Sequence, residues 1–521
     1  MVCHAISPDG KQLACANRAQ RICRFALATG REVLLEHGHE QPIHSIAVAP
    51  DGKTTATASG DSTVRLWETT TGKELRVLRG HRYGLRRVAF SPDGRMLASS
   101  GGDDFVILWD TRTGREIRRM PGMSVAFSPD GRILAAGGHT GEGSGTYKAG
   151  IIHIYDPLTG DELRRLIGHH RSVTHVAFSP DGRMLASMED QPVPIPSRVP
   201  VKQEPSSIRL WDVASGKEGL NFGEGHVTGP LSFSADGKSL VSAEEGNDRV
   251  HFWEVATGKV RQQIRCKPHS TWLAAFAADG RTFATAGRDP TIRLYAWPTG
   301  QELGRFEGRS GSVYALTPAP DRTAFVSGGP DTTAIVWDLT GLKRPAEDPR
   351  QELTRGQLQE LWSDLGRDDA SRAFRAINSL GQAAGGVEPF LNERLRPARI
   401  DRVRVAKLIS DLDNDQFAVR EAASRALTDL GSVAAPFLQK ALKAPPSTEA
   451  RRRLESLLTK AIKGPVPLTQ VQQLRALEVL ELLGTSEARQ ALEPLAKSDP
   501  EARLTQEAKA ALERLEKRLA K

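Results

Sequence analysis

Residues 80–121 read GHRYGLRRVAFSPDGRMLASSGGDDFVILWDTRTGREIRRMP, and the fold turns on how that stretch divides. Val88-Ala89-Phe90 runs into Ser91-Pro92-Asp93-Gly94, a strand ending in a tight turn where proline presets φ and glycine supplies a positive one. Met96 to Ser99 is predicted to form a second short strand, and Phe105 to Trp109 a third with alternating side chains. Asp110 to Gly114 turns again, and Glu116-Ile117-Arg118-Arg119 makes a polar fourth strand on the outside. Four short antiparallel strands bury too little surface to stand alone. Stacked radially with copies of themselves they share a core, which is the β-propeller solution.

The copies are in the chain. Phe25, Trp67, Trp109, Tyr155, Trp211, Trp253, Tyr295 and Trp337 are spaced by 42, 42, 46, 56, 42, 42 and 42 residues. The turn keeps step with them, at Ser7–Gly10, Ala49–Gly52, Ser91–Gly94, Ser128–Gly131, Ser179–Gly182, Ser234–Gly237 and Ala277–Gly280, with a worn form at Ala319–Arg322. Eight units are predicted.

Gly-His before the first strand and Trp-Asp after the third, as at Gly80-His81 with Trp109-Asp110, Trp211-Asp212 and Trp337-Asp338, resemble the WD40 repeat family. The resemblance covers residues 1 to 341 and implies a multidomain β + α chain: an eight-repeat, eight-bladed WD40 propeller, then an all-α array. It also implies a buried hydrogen-bonded tetrad in each blade. The second unit supplies His39, Ser59, Asp61 and Trp67 for it. The third has Gly101 where the hydroxyl is expected, the fourth has no Gly-His, and units 7 and 8 keep only Asp289 and Asp331 with their aromatics. Such rings close when the last blade borrows an outer strand from the N-terminus. Here Met1 falls inside the first strand of unit 1, so the expectation is a start placed too far downstream or a partner segment in that slot.

The two long spacings are insertions, Gly137 to Gly150 and Met188 to Ser207, both between second and third strands and hence on the Gly-His end of the blades. The second carries five prolines and is predicted to be an extended arm. After Gly341 the composition shifts. Residues 342–349 read as a linker, and 350–521 as nine or ten helices. Asp415 is the expected N-cap, and Gly431 the C-cap, of a helix spanning Ala418 to Leu430. Val419-Arg420, Ala422, Ala426-Leu427, Leu430-Gly431 and Leu438 resemble a HEAT-type repeat. The whole chain resembles bacterial WD40 proteins that end in such a helical domain.

Composition excludes several classes. The 521 residues carry 71 basic and 63 acidic side chains, a net charge of +8. Mild, interspersed basicity is a solubilised surface and not a nucleic-acid footprint. No run approaches the ~18–20 apolar residues of a membrane span, so a cytoplasmic protein is expected. Four cysteines without a CxxC pair offer neither a disulfide framework nor a zinc site.

Motifs that could carry chemistry fail on detail. His39-Glu40-Gln41-Pro42-Ile43-His44 misplaces the second histidine of HExxH, and Pro42 forbids the helix. Asp236-Gly237-Lys238-Ser239 is a repeat turn and not a P-loop. Asp411, Asp413 and Asp415 lack the glycine and the glutamate of a calcium loop. No catalytic constellation, metal site or cofactor is expected. What remains is surface. His44, Arg82, Tyr83, Arg86, His170, Arg171, His175, Lys267, His269 and Trp272 fall in or beside the Gly-His loops, and form a candidate face for an acidic or phosphorylated protein or peptide. The sequence therefore predicts a non-catalytic interaction scaffold. The alternative is the sensor half of a bacterial regulator whose kinase or sigma-factor module lies upstream or on a partner.

Overall fold

The computed structural model describes residues 38–519, except 142–148, 190–205, 226, 245–248, 267–270, 308–310, 340–351, 398–400, 431–433, 464–465 and 501, and the backbone of four short strands before residue 38. By internal contacts the chain forms two compact units. One comprises Met1–Gly216, Gly223–His251 and Ile264–Arg344. The other gathers Pro345–Lys521 together with two strand segments, Lys217–Phe222 and Phe252–Gln263.

The strands form antiparallel sheets of the predicted kind. Residues 43–79, 85–121, 124–167, 173–225, 227–265 and 271–306 each form a four-stranded sheet in chain order, and 315–338 a three-stranded one. These are blades 1 to 7. In blade 2, Met96–Gly101 and Phe105–Asp110 are almost wholly buried, whereas Glu116–Pro121 exposes most of its residues, so the fourth strand faces outward as its charges require. The turn works as read. Gly94 has φ +71°, while Ser91 Oγ accepts from Met96 N at 2.9 Å and donates to Asp93 Oδ1 at 2.6 Å. In the worn copy Arg322 adopts the same conformation at φ 68°, a left-handed geometry costing a non-glycine residue ~1–2 kcal/mol.

The propeller has seven blades, not eight. Blade 7 packs directly on blade 1: Ile43, Ile46 and Val48 share a core with Ala315 and Val326. Ile43 N donates to Gly329 O at 3.0 Å, and Thr317 Oγ1 donates to Ile46 O at 2.7 Å. The repeat at the N-terminus, His4–Ile6, Gln12–Ala16, Ile22–Ala26 and Glu32–Val33, forms a further sheet paired within itself. A period counts copies of a unit. The angle each blade subtends decides how many fit before the ring meets itself. Among the described residues blade 7 has three strands. Both insertions do fall between second and third strands; half of the first and most of the proline-rich second lie outside the described residues.

The helical region contains ten helices among the described residues: α1 (Arg355–Leu365), α2 (Ala370–Gly381), α3 (Val387–Asn392), α4 (Arg402–Asp411), α5 (Phe417–Asp429), α6 (Ala435–Leu442), α7 (Thr448–Lys463), α8 (Leu468–Leu483), α9 (Ser486–Ala496) and α10 (Arg503–Leu519). The cap expected at Asp415 is not made. Helix α5 starts after Gln416, which makes no side-chain cap, and Arg420 instead donates to the carbonyls of Asn414 and Asp415. Gly431 lies outside the described residues. Helices α4 to α7 share one core, around Val405, Ala423, Leu427, Leu438 and Leu454. Helix α8 packs instead against α1, α2, α9 and α10. Spatial order thus departs from chain order, unlike the sequential stacking of a HEAT solenoid, and that likeness gains no support.

Candidate functional site

The polar frame of the blades comes first, because it fixes where the inner strands lie. In blade 1 His39 Nδ1 bonds Asp61 Oδ2 at 2.8 Å and His39 Nε2 bonds Thr57 Oγ1 at 2.6 Å, while Trp67 Nε1 donates to the same hydroxyl at 2.7 Å. The tetrad hydroxyl is therefore Thr57 and not Ser59, which donates to Gln41 O at 2.8 Å and accepts from Asp61 N. The correction moves the whole column by two residues. Blade 2 then has a complete set, His81, Ser99, Asp103 and Trp109. Blade 4 has His169, Ser187 and Trp211, with Glu189 in the acid's place. In blade 7 Trp337 Nε1 donates to Ser327 Oγ at 2.7 Å, so the hydroxyl thought missing there is present. Burial alone would raise the Asp61 and Asp103 carboxyls. Hydrogen bonds from His39 and Thr63 to the first, and from His81 and the Arg82 amide to the second, hold both below the usual carboxylate range.

With the frame set, each inner strand presents one residue at the same register, four before the first residue of its turn. Blades 1 to 4 contribute Ser45, Arg87, Ser124 and His175; blades 5 to 7 contribute Pro230, Leu273 and Ala315. All seven line one cavity. Lining by one strand from every blade places it on the propeller axis. One side is polar and cationic, the other apolar. No carboxylate lines it among the described residues.

Its electrostatics follow from that lack. Arg87 Nη2 donates to Nε2 of His175, whose Nδ1 donates to Thr174 Oγ1 at 3.1 Å, an arrangement that requires a neutral ring. Burial, and then the charges of Arg87 and Arg86, push His175 well below its ordinary value. Burial likewise pushes Arg87 down to about 10, with Arg86 adding to the effect. His44 is lowered by burial and by the same two arginines; its ring stacks on Tyr314, centroids 5.8 Å apart and planes 6° from parallel.

The expected face divides. Arg82, Arg86 and His170 are exposed, and Tyr83 is 64% exposed. Arg171 is buried and cannot serve as a rim charge. His44 and His175 line the cavity instead of the rim. Trp272 is half-buried, its Nε1 donating to Val313 O at 2.8 Å. Lys267 and His269 lie outside the described residues. The loops do share one end: Gly102 N donates to Gly84 O at 2.9 Å, and Gly150, closing the first insertion, donates to His169 O at 3.0 Å. Sequence reading named Arg86 but passed over Arg87. Counting back four residues from every turn would have shown Arg87 and His175 in one ring.

No group of three or more His, Cys, Asp or Glu side chains that could hold a metal occurs among the described residues. None of their helices is long and apolar enough to cross a membrane.

Four stretches match the model of the WD domain, G-beta repeat: residues 31–68, 72–110, 160–191 and 300–338. The matched repeats and the sheets together make the first unit a WD40-repeat β-propeller. Similar proteins include telomerase protein component 1 of Rattus norvegicus, 26% identical over 188 residues, which is 36% of this chain and 7% of that protein. Periodic tryptophan protein 2 of Arabidopsis thaliana is 24% identical over 206 residues, 39% of this chain and 21% of that protein. The serine-threonine kinase receptor-associated protein of Dictyostelium discoideum is 30% identical over 130 residues, 25% of this chain and 43% of that protein. The chain thus spans less than half the length of each. All three are eukaryotic proteins, and the expected bacterial likeness finds no support in them.

Proposed function

We propose that this chain is a non-catalytic scaffold that docks a protein or peptide partner of acidic character on the insertion-bearing face of its propeller. WD40-repeat proteins are in general protein-interaction scaffolds, and the observation that carries the reading here is local. Tyr83, a largely exposed aromatic, stands beside Arg82 in the loop leading to Arg86, and both arginines are exposed. An aromatic among arginines is the composition of an interface centre. A phosphorylated partner suits the same cations, since guanidinium binds phosphate and carboxylate with one geometry. The helical region would offer a second surface.

The test compares capture of partners by the parent chain and by Arg82→Glu/Arg86→Glu. Rim charges act mainly on association rate and salt dependence, so the double reversal is expected to lose the partners retained at low salt while its melting temperature holds. Equal recovery by both proteins sinks the reading. A second reading, regulation beside a kinase or sigma-factor module, draws only on the likeness to a protein named as kinase receptor-associated. Its test is whether the captured partners include such a module.

A further inference from the structure

We propose that the axial cavity of the propeller binds a small organic carboxylate, its carboxylate held by Arg87 and its apolar body lying against Pro230, Leu273 and Ala315. This goes beyond the docking of proteins on the face and does not depend on it.

A guanidinium taken out of water is costly unless an anion or a full set of acceptors meets it. Arg87 has neither in the described structure: its one hydrogen bond there goes to the neutral His175, and the cavity lining contains no Asp or Glu. The hydroxyls on the neighbouring strands are engaged with backbone groups. Ser45 Oγ accepts from Val88 N at 3.2 Å, and Ser124 Oγ donates to Val173 O at 3.3 Å. A planar carboxylate matches the guanidinium fork.

The other half of the ring decides what carries that carboxylate. Pro230, Leu273 and Ala315 offer no side-chain donor, so a phosphate, with acceptor oxygens all around, would leave several of them unmet. An acid with an apolar body satisfies both halves at once. The stacked His44–Tyr314 pair adds a flat wall suited to a ring. Apolar walls with a few convergent polar groups are the usual form of a small-molecule site, and this cavity has both in equal share.

Benzoate, benzamide and inorganic phosphate serve as probes in calorimetric titrations of the full chain. Benzoate is expected to bind saturably, and its neutral isostere benzamide and phosphate each about tenfold or more weakly. Binding should tighten from pH 8 to pH 6. A bound anion favours protonation of His175 and His44; the other titratable groups lining the cavity are Arg87 and Tyr314, with Arg86 exposed beside it. Arg87→Gln should weaken benzoate about tenfold or more. Leu273→Trp fills the apolar half, leaves the cation in place, and should abolish binding; the two variants fail to fold for different reasons if at all, and melting curves identify such a failure. The proposal is overturned if benzamide or phosphate binds as well as benzoate, if a folded Arg87→Gln binds like the parent, or if millimolar benzoate gives neither heat nor a saturation-transfer signal.

Discussion

The buried arginines of the helical unit and the half-buried Arg87 of the propeller live under different electrostatic conditions. In the helical unit Arg475 donates twice to Glu254, both at 2.8 Å, and also to the carbonyls of Leu365 and Arg367. Arg261 meets Glu478 at 2.9 Å and lies over the Phe374 ring at 4.5 Å. Burial alone would raise the Glu254 carboxyl, but Arg475 and Arg261 hold it below its ordinary range. On the propeller axis Arg87 has a neutral imidazole and one other cation, Arg86, for company. The first arrangement is a closed account of charge whose product is architecture. The second leaves a positive potential open to a ligand, and that is a reason to look for function on the axis and not in the helical ion network.

The largest effect expected from breaking this contrast is at Arg475. Arg475→Ala leaves Glu254 buried with half its partners and two carbonyls unmet, which should cost ~3–5 kcal/mol in denaturant unfolding. Arg475→Met with Glu254→Leu should recover most of that loss, because an apolar pair of similar volume needs no counter-charge. If the single and double variants unfold alike, the network is not the closed set described.

Next in size is the frame that positions the axis. Thr57→Val removes the hydroxyl shared by His39 and Trp67 and leaves both rings unsatisfied inside blade 1, an expected ~1–3 kcal/mol. Ser59→Ala, the position favoured by sequence, should cost less than half as much, since it removes loop hydrogen bonds only. A reversed order of urea midpoints would restore Ser59 to the tetrad.

Acid separates the regions further. The folded values of Asp61, Asp103 and Glu254 are depressed. Their contribution is therefore fully present above the unfolded value of about 4 and is lost as pH falls through the folded ones. His175, His81 and His44 are also depressed, so theirs is present above about 6.5 and starts to fade below it. Stability should thus decline in two stages, the axial and tetrad histidines before the carboxylates. Arg87→Leu should raise the His175 value seen by histidine NMR, and Asp103→Asn should blunt the lower stage while lowering His81 further, since Asp103 holds that ring's value up.

The smallest effect expected is that of Arg87→Leu at pH 7, within about 1 kcal/mol of the parent in either direction, because the deletion removes a charge that has no carboxylate partner and leaves only the neutral His175 nitrogen without its donor. A loss as large as that of Arg475→Ala would show that Arg87 is a structural element of the ring.

How much of this was legible depends on range. The strand–turn–strand unit is local, and Ser91-Pro92-Asp93-Gly94 with its periodic aromatics carried it entirely. The tetrad hydroxyl was missed because Thr57 and Ser59 lie on the same face of one strand, where residue type cannot distinguish them. A column could have done so: eight residues after the start of each turn stand Thr57, Ser99, Ala136, Ser187, Ser242, Thr285 and Ser327, six of them hydroxyl-bearing. The eighth blade was overcounted because closure depends on summed angles between sheets, a property no single repeat encodes. The sequence places Arg171 on the rim because its neighbour His170 and the Gly-His loop suggest exposure, but its own side chain is buried.

The junction of blades 1 and 7 has a consequence for the folding order. Thr317 reaches Ile46 across 271 residues of chain, whereas most other neighbouring blades meet within about one repeat length. Loop-closure entropy has to be met before so distant a contact returns anything. The ring should therefore assemble as a growing arc, each blade templating the next, and lock last where Ile43, Ile46 and Val48 meet Ala315 and Val326. The axial cavity exists only once that lock has closed, so any ligand held there would act as a latch, slowing the first step of unfolding more than it speeds folding.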